Sequence, residues 1–176
     1  MEASNQSMWF PVKMGLITGF TYCLFIFLEN KIFYKSPVQF TSMKLVFYLL
    51  IIGGYFYTGW IARKSMGGFI TFQECLKAIL LTIAIVELIY VIFNVIYINY
   101  IDPSFIAKLK VSTKDFLISI NTPEEKVTEV LKNFEAAGKV TFWSAFQSYG
   151  FSLIIDSIFG VLIALLLRKS PTVTEY

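Results

Sequence analysis

Residues 78–101 read AILLTIAIVELIYVIFNVIYINYI, between Lys77 on one side and Asp102-Pro103 on the other. A helix rises 1.5 Å per residue, and roughly 20 mostly apolar residues cross a ~30 Å hydrocarbon core. The stretch is apolar on every side, with no polar stripe to face water. That separates a lipid-facing helix from the one-sided helix of a water-soluble core. It predicts a membrane span that begins a turn or more earlier. Thr71-Phe72-Gln73-Glu74 has the spacing of a capping box, so the helix should start near Phe72, partly in the interface.

Working outward, three more stretches have the same character: about 11–28, 45–62 and 149–167. Lys13 interrupts the first, and Pro11 suits its first helical position. Lys44 and Arg63-Lys64 bracket the second, and Arg168-Lys169 closes the fourth. The connection 102–148 is the one soluble-looking part. Thr122-Pro123-Glu124-Glu125 is a helix start, with proline at the first position and acids against the dipole. Val127, Val130, Leu131 and Phe134 follow at helical spacing, and Gly138 can end the helix. The fold class is therefore all-α: a four-helix transmembrane bundle with a short amphipathic helix, about 123–137, in the loop between spans three and four. Residues 1–176 form a single integral membrane domain on this reading, and 170–176 a flexible tail.

Composition agrees. The chain is 56% hydrophobic and 15% charged, with a mean hydropathy of +0.66, whereas soluble domains carry about 25% charged residues. A net charge of +3 is too small to suggest nucleic acid. There is no histidine, and Cys23 and Cys75 are the two cysteines, so neither a Cys/His metal site nor a disulfide framework can be built. Without histidine there is also no ordinary nucleophile–base pair, and no enzyme activity, cofactor or metal is expected. The run ending in Leu28-Glu29-Asn30-Lys31 has no small-residue cleavage site, so the first span should be retained. Gly67-Gly68 lacks the lysine of a phosphate loop and reads as a turn. Trp9, Tyr34, Tyr57, Trp60, Tyr97, Tyr100, Trp143 and Tyr149 lie near span ends and read as interfacial belts.

An even number of spans puts both termini on one face. The total basic count does not decide which face that is. The flush pairs Arg63-Lys64 and Arg168-Lys169 share the face of the termini, which is read as cytoplasmic.

The layout resembles a bacterial membrane domain of unknown function, numbered 4199 and found mainly in Bacteroidetes. The resemblance is carried by Lys13-Met14-Gly15, by Met66-Gly67-Gly68-Phe69-Ile70-Thr71-Phe72-Gln73-Glu74, by Tyr100-Ile101-Asp102-Pro103 and by Thr122-Pro123-Glu124-Glu125. It covers nearly the whole chain. It implies the architecture and an inner-membrane location, and no mechanism.

Two acids interrupt the apolar spans, Glu87 in the third and Asp156 in the fourth. An aspartate at the bilayer centre costs about 2.5–3.5 kcal/mol on insertion scales. No Lys, Arg or His lies in the cores of spans two to four, so both acids are expected to be held neutral if their surroundings are dry. Glu87 is ten residues from Lys77 and Asp156 twelve from Arg168, which is about 15 and 18 Å along a helix and places both near the midplane. Ser148, Ser152, Gly160 and Ala164 repeat around Asp156 as a small-residue stripe, the face expected to pack on another helix. Asn94 falls on nearly the same side of its helix as Glu87. Gly15 and Gly19, continued by Cys23, form a second seam, and Gly53 and Gly54 offer further close approach.

Two functions fit these features. One is a non-enzymatic membrane component or scaffold, working in the lipid bilayer and meeting a protein partner through the loop helix. The other is a small proton- or cation-coupled transporter or channel subunit using Glu87 and Asp156, with Asn94 nearby. Against the second, four short spans leave little room for alternating access, and the halves show no inverted repeat. A structural pair of acids, hydrogen-bonded to Asn94, Ser152 or Thr18, is the plainer alternative. The oligomeric state is not set by the sequence.

Overall fold

Each apolar run becomes a helix longer than itself, because local caps lie outside the runs. In the computed structural model, which describes residues 2–136 and 140–169 and side chains within 9–134 and 140–169, the long helices are α1 (Glu2–Ile32), α2 (Pro37–Ser65), α3 (Phe72–Ile96) and α6 (Phe142–Leu167). Ser36 caps α2, with Pro37 in its first turn. The predicted capping box at α3 is formed: the Glu74 amide donates to Thr71 Oγ1 at 3.3 Å, and the Thr71 amide donates to Glu74 Oε2 at 3.0 Å. Thr141 and Ser144 make the same box at α6. Pro11 is not at the start of α1 but well inside it, and its carbonyl accepts a hydrogen bond from Thr82 Oγ1 at 3.1 Å. The expected tail at 170–176 and the Gly138 helix end lie outside the described residues.

All four long helices are long and apolar enough to cross a membrane. Their outer faces carry Phe20, Leu24, Leu45, Leu49, Ile92, Phe151, Ile154 and Leu166, all exposed, a surface suited to lipid and costly in water.

α3 is the central element, packing on α1, α2 and α6. Gly15 and Gly19 let α1 approach it closely: a Cβ on Gly15 would meet Ile85 Cβ at 2.8 Å, and one on Gly19 would meet Ile89 Cδ1 at 2.8 Å. Gly160 does the same for α6, where a Cβ would lie 3.1 Å from Ile83 Cδ1. Gly54 faces Thr18, but Gly53 meets nothing and makes no close approach. Near the chain ends, Ile70 and Lys169 exchange backbone hydrogen bonds, both 3.0 Å, which tie the α2–α3 turn to the end of α6.

The loop between spans three and four differs from expectation. It holds two helices, α4 (Phe105–Ser119) and α5 (Glu124–Ala136), where one was expected. α3 also continues into it through a π-helical turn, Tyr97–Ile101. Tyr97 is not part of an interfacial belt: it is fully buried, edge-on to Phe27 and Phe105. Cys75 is also fully buried.

Candidate functional site

The middle of α3 supplies Glu87 and the middle of α6 supplies Asp156, and the close α3–α6 contact at Gly160 brings them together. They are 3% and 2% exposed. The Glu87 carboxyl lies within electrostatic and hydrogen-bonding range of Asp156 and of the Ser152 hydroxyl one turn before it. On the opposite side, α2 contributes two phenols. Tyr48 donates to Asp156 Oδ1 and Tyr55 donates to Oδ2 at 2.7 Å. Each Asp156 oxygen therefore accepts a hydrogen bond from one phenol. Two carboxyl groups in contact away from water cannot both be charged.

Two more tyrosines close the surroundings. Tyr22 of α1 and Tyr90 of α3 stack obliquely at 5.3 Å, both within electrostatic range of Glu87. Neither acid forms an ion pair among the described residues. No group of His, Cys, Asp or Glu among them could hold a metal ion.

Of the expected partners, Ser152 is at the site, while Thr18 packs against Gly54 instead. Asn94 does not touch the acids. It lines a cavity of about 170 Å³ between α3 and α6, together with Tyr90, Ser148 and Ser152 among others. Ala164 and Gly160 are buried in the α3–α6 contact below the acids. The tyrosines Tyr48 and Tyr55 were not anticipated. Their signal is a seven-residue spacing, which puts both on one face of a helix.

A second polar cluster, also unanticipated, lies where α1, α3 and α4 meet. Asp102 is 7% exposed and accepts from Lys108 Nζ at 2.9 and 3.0 Å and from Ser104 Oγ at 2.8 Å, with Lys31 at 3.9 Å. Burial alone would push this carboxyl up, but the Lys108 and Ser104 hydrogen bonds and the two lysine charges outweigh it and hold it below the usual range. Glu29 and Asn30 are buried nearby at the end of α1.

Fold and site together define an all-helical protein with four helices of membrane-crossing length and a carboxyl pair enclosed among tyrosines. Residues 13–169 match the profile of the family described as "Protein of unknown function (DUF4199)", and the chain belongs to that family, as the sequence resemblance implied. No curated protein and no solved structure matches it.

Proposed function

We propose that this chain is a non-enzymatic, proton-handling membrane protein whose working group is the Glu87–Asp156 pair, as a small proton-coupled transporter or channel subunit. We place it in a bacterial inner membrane, following the family resemblance, with its termini cytoplasmic on the strength of the flush basic pairs. One observation carries the reading. Two acids from different helices touch each other in an apolar interior, are given hydroxyl donors, and are given no cation. A purely structural role explains this poorly. Interhelical hydrogen bonds in membranes average about 0.6 kcal/mol, while inserting one acid costs about 2.5–3.5 kcal/mol. Apolar residues at both positions would hold the helices together without that cost.

The scaffold reading has less support. On α5, Val127 is buried and Val130, Leu131 and Phe134 are half-buried, and the helix packs on α4. Val127, at the start of the stripe that would meet a partner, is already covered within the chain.

The test is flux in reconstituted vesicles under an imposed pH gradient. Wild-type protein is expected to conduct or couple protons, and Glu87→Gln and Asp156→Asn each to remove that flux while helical content and detergent-solubilised monodispersity stay unchanged. Wild-type flux no greater than that of empty vesicles contradicts the proposal.

A further inference from the structure

The interior of the bundle is not the same above and below the carboxyl pair. Towards the face of the chain termini lie Cys75, Ile79, Ile83, Ile163, Ala164 and Leu167, each at most 5% exposed, and they form a continuous apolar plug. Towards the opposite face, where α4 and α5 sit, α3 and α6 are separated by the 170 Å³ cavity. Its lining includes Val140, ahead of the first turn of α6, and reaches down to Ser152. From Phe142 to Ser152 is ten residues, or about 15 Å of helix, roughly half the ~30 Å hydrocarbon thickness.

The lining is part apolar, from Val91, Val95, Val140, Ala145 and Phe151, and part polar. One water needs about 10–15 Å³ of such space and two to four polar partners. The cavity has room for several, and Tyr90, Asn94, Ser148 and Ser152 supply hydroxyl and amide groups along its length. Ser148 is exposed, and Ser152 lies within hydrogen-bonding range of Glu87 at the inner end. The titratable groups facing the acid pair are Tyr22 from α1, Tyr48 and Tyr55 from α2, and Tyr90 from α3 itself; Glu29 of α1 lies farther off, within range of Tyr22 and Tyr90. Phenols relay or donate hydrogen bonds and add no fixed charge at neutral pH.

We propose that the α3–α6 cavity is a water-filled half-channel that gives protons access to Glu87 and Asp156 from the α4–α5 face only. It rests on the proton-handling reading and adds to it a side and a route: water enters past Ser148, reaches Ser152, and passes a proton to Glu87, while the plug closes the other face.

Single cysteines test this without any flux measurement, because a thiol reacts as its thiolate and so reports water. The wild-type chain, whose Cys23 and Cys75 are 7% and 0% exposed, provides the blank. In sealed vesicles of known orientation, Ser148→Cys and Ser152→Cys are expected to react with a membrane-impermeant methanethiosulfonate from the α4–α5 face and not from the other. Their rate should exceed that of Ile83→Cys by on the order of tenfold, one unit of thiol acidity between a wet and a dry site. Asn94→Cys probes the same cavity from α3 if an α6 variant fails to fold. Labelling of Ser152→Cys from both faces, or from neither while Asn94→Cys is also silent, overturns the half-channel. One-sided labelling in a protein that moves no protons leaves the half-channel standing and removes the coupling reading alone.

Discussion

Two of the places where the chain buries acid are treated in opposite ways. At the α1–α3–α4 junction, Asp102 has two lysines and a serine, sits at the end of a span, and is held ionised. In the middle of the bundle, Glu87 and Asp156 have each other, two tyrosines and a serine, and no cation. An ion pair suits the first place because lysine heads there still reach water: Lys31 and Lys108 are 46% and 42% exposed. In the second place a lysine would have to be desolvated too, at a cost that its attraction to one acid need not recover. On the proposed reading, one shared proton halves the charge of the pair without a cation, and the tyrosine hydroxyls donate to the single negative charge that remains. A site that fixes charge holds helices in place, whereas one that shares a proton can gain and lose it. That difference is why the inner pair is read as working and the outer one as structural.

The sharpest way to break the contrast is to convert one kind of site into the other. Glu87→Lys would pair a cation with Asp156 and fix its charge, so proton flux should fall to the level of empty vesicles. If flux survives, the shared proton is not the working feature. Separating the acids comes next. Gly160→Leu places a side chain against Ile83 and Ile79, where overpacking typically costs about 1–3 kcal/mol. Thermal or denaturant unfolding in detergent should show that loss, accompanied by reduced flux. An unchanged midpoint would mean that α6 is not seated on α3 at this point. Tyr55→Phe removes one donor from Asp156 and should cost about 0.6 kcal/mol, the mean for interhelical hydrogen bonds, without abolishing flux because Tyr48 remains.

The smallest effect belongs to the outer site. Asp102→Asn should cost about 0.2–1 kcal/mol, as solvent-accessible ion pairs do, and the loss should be read in α4 by hydrogen exchange. Its pH dependence has a definite sign. Because the folded carboxyl is held below the ordinary aspartate value of 3.8, its contribution is complete above that value and disappears as pH falls through the folded one. The difference between wild type and variant should therefore close in acid. A difference that widens instead would contradict the assigned partners.

The spans were legible because lipid demands long uninterrupted apolar runs, and lone glutamate and aspartate residues stand out against them. Convergence of the two acids was suggested by equal depth, but it was not determined, since depth says nothing about rotation around the helix axis. α4 was missed because Asp102-Pro103 reads as the stop of the third span; Ser104, a residue type that starts helices, stands at its N-cap, but its hydroxyl donates to Asp102 instead of capping the first turn. The Asp102–Lys108 pair crosses a turn between two helices, and a six-residue separation matches no helical register. Tyr97 illustrates the opposite error. A tyrosine near a span end usually lies in the headgroup region, but here the π-helical turn and α4 fold over it. Tyr48 and Tyr55 were hidden for a similar reason, because aromatic residues in an apolar run look like lipid-facing bulk until a buried acid opposite them is known.

The proton itself is the central claim, and infrared spectroscopy detects it directly. Reconstituted wild-type protein at neutral pH should show the carbonyl stretch of a protonated carboxylic acid more strongly than the Glu87→Gln, Asp156→Asn double variant, while Glu29, buried in both, cancels in the difference. A difference spectrum without that band at neutral pH would mean that both acids are ionised, which contradicts a shared proton at the centre of the bundle.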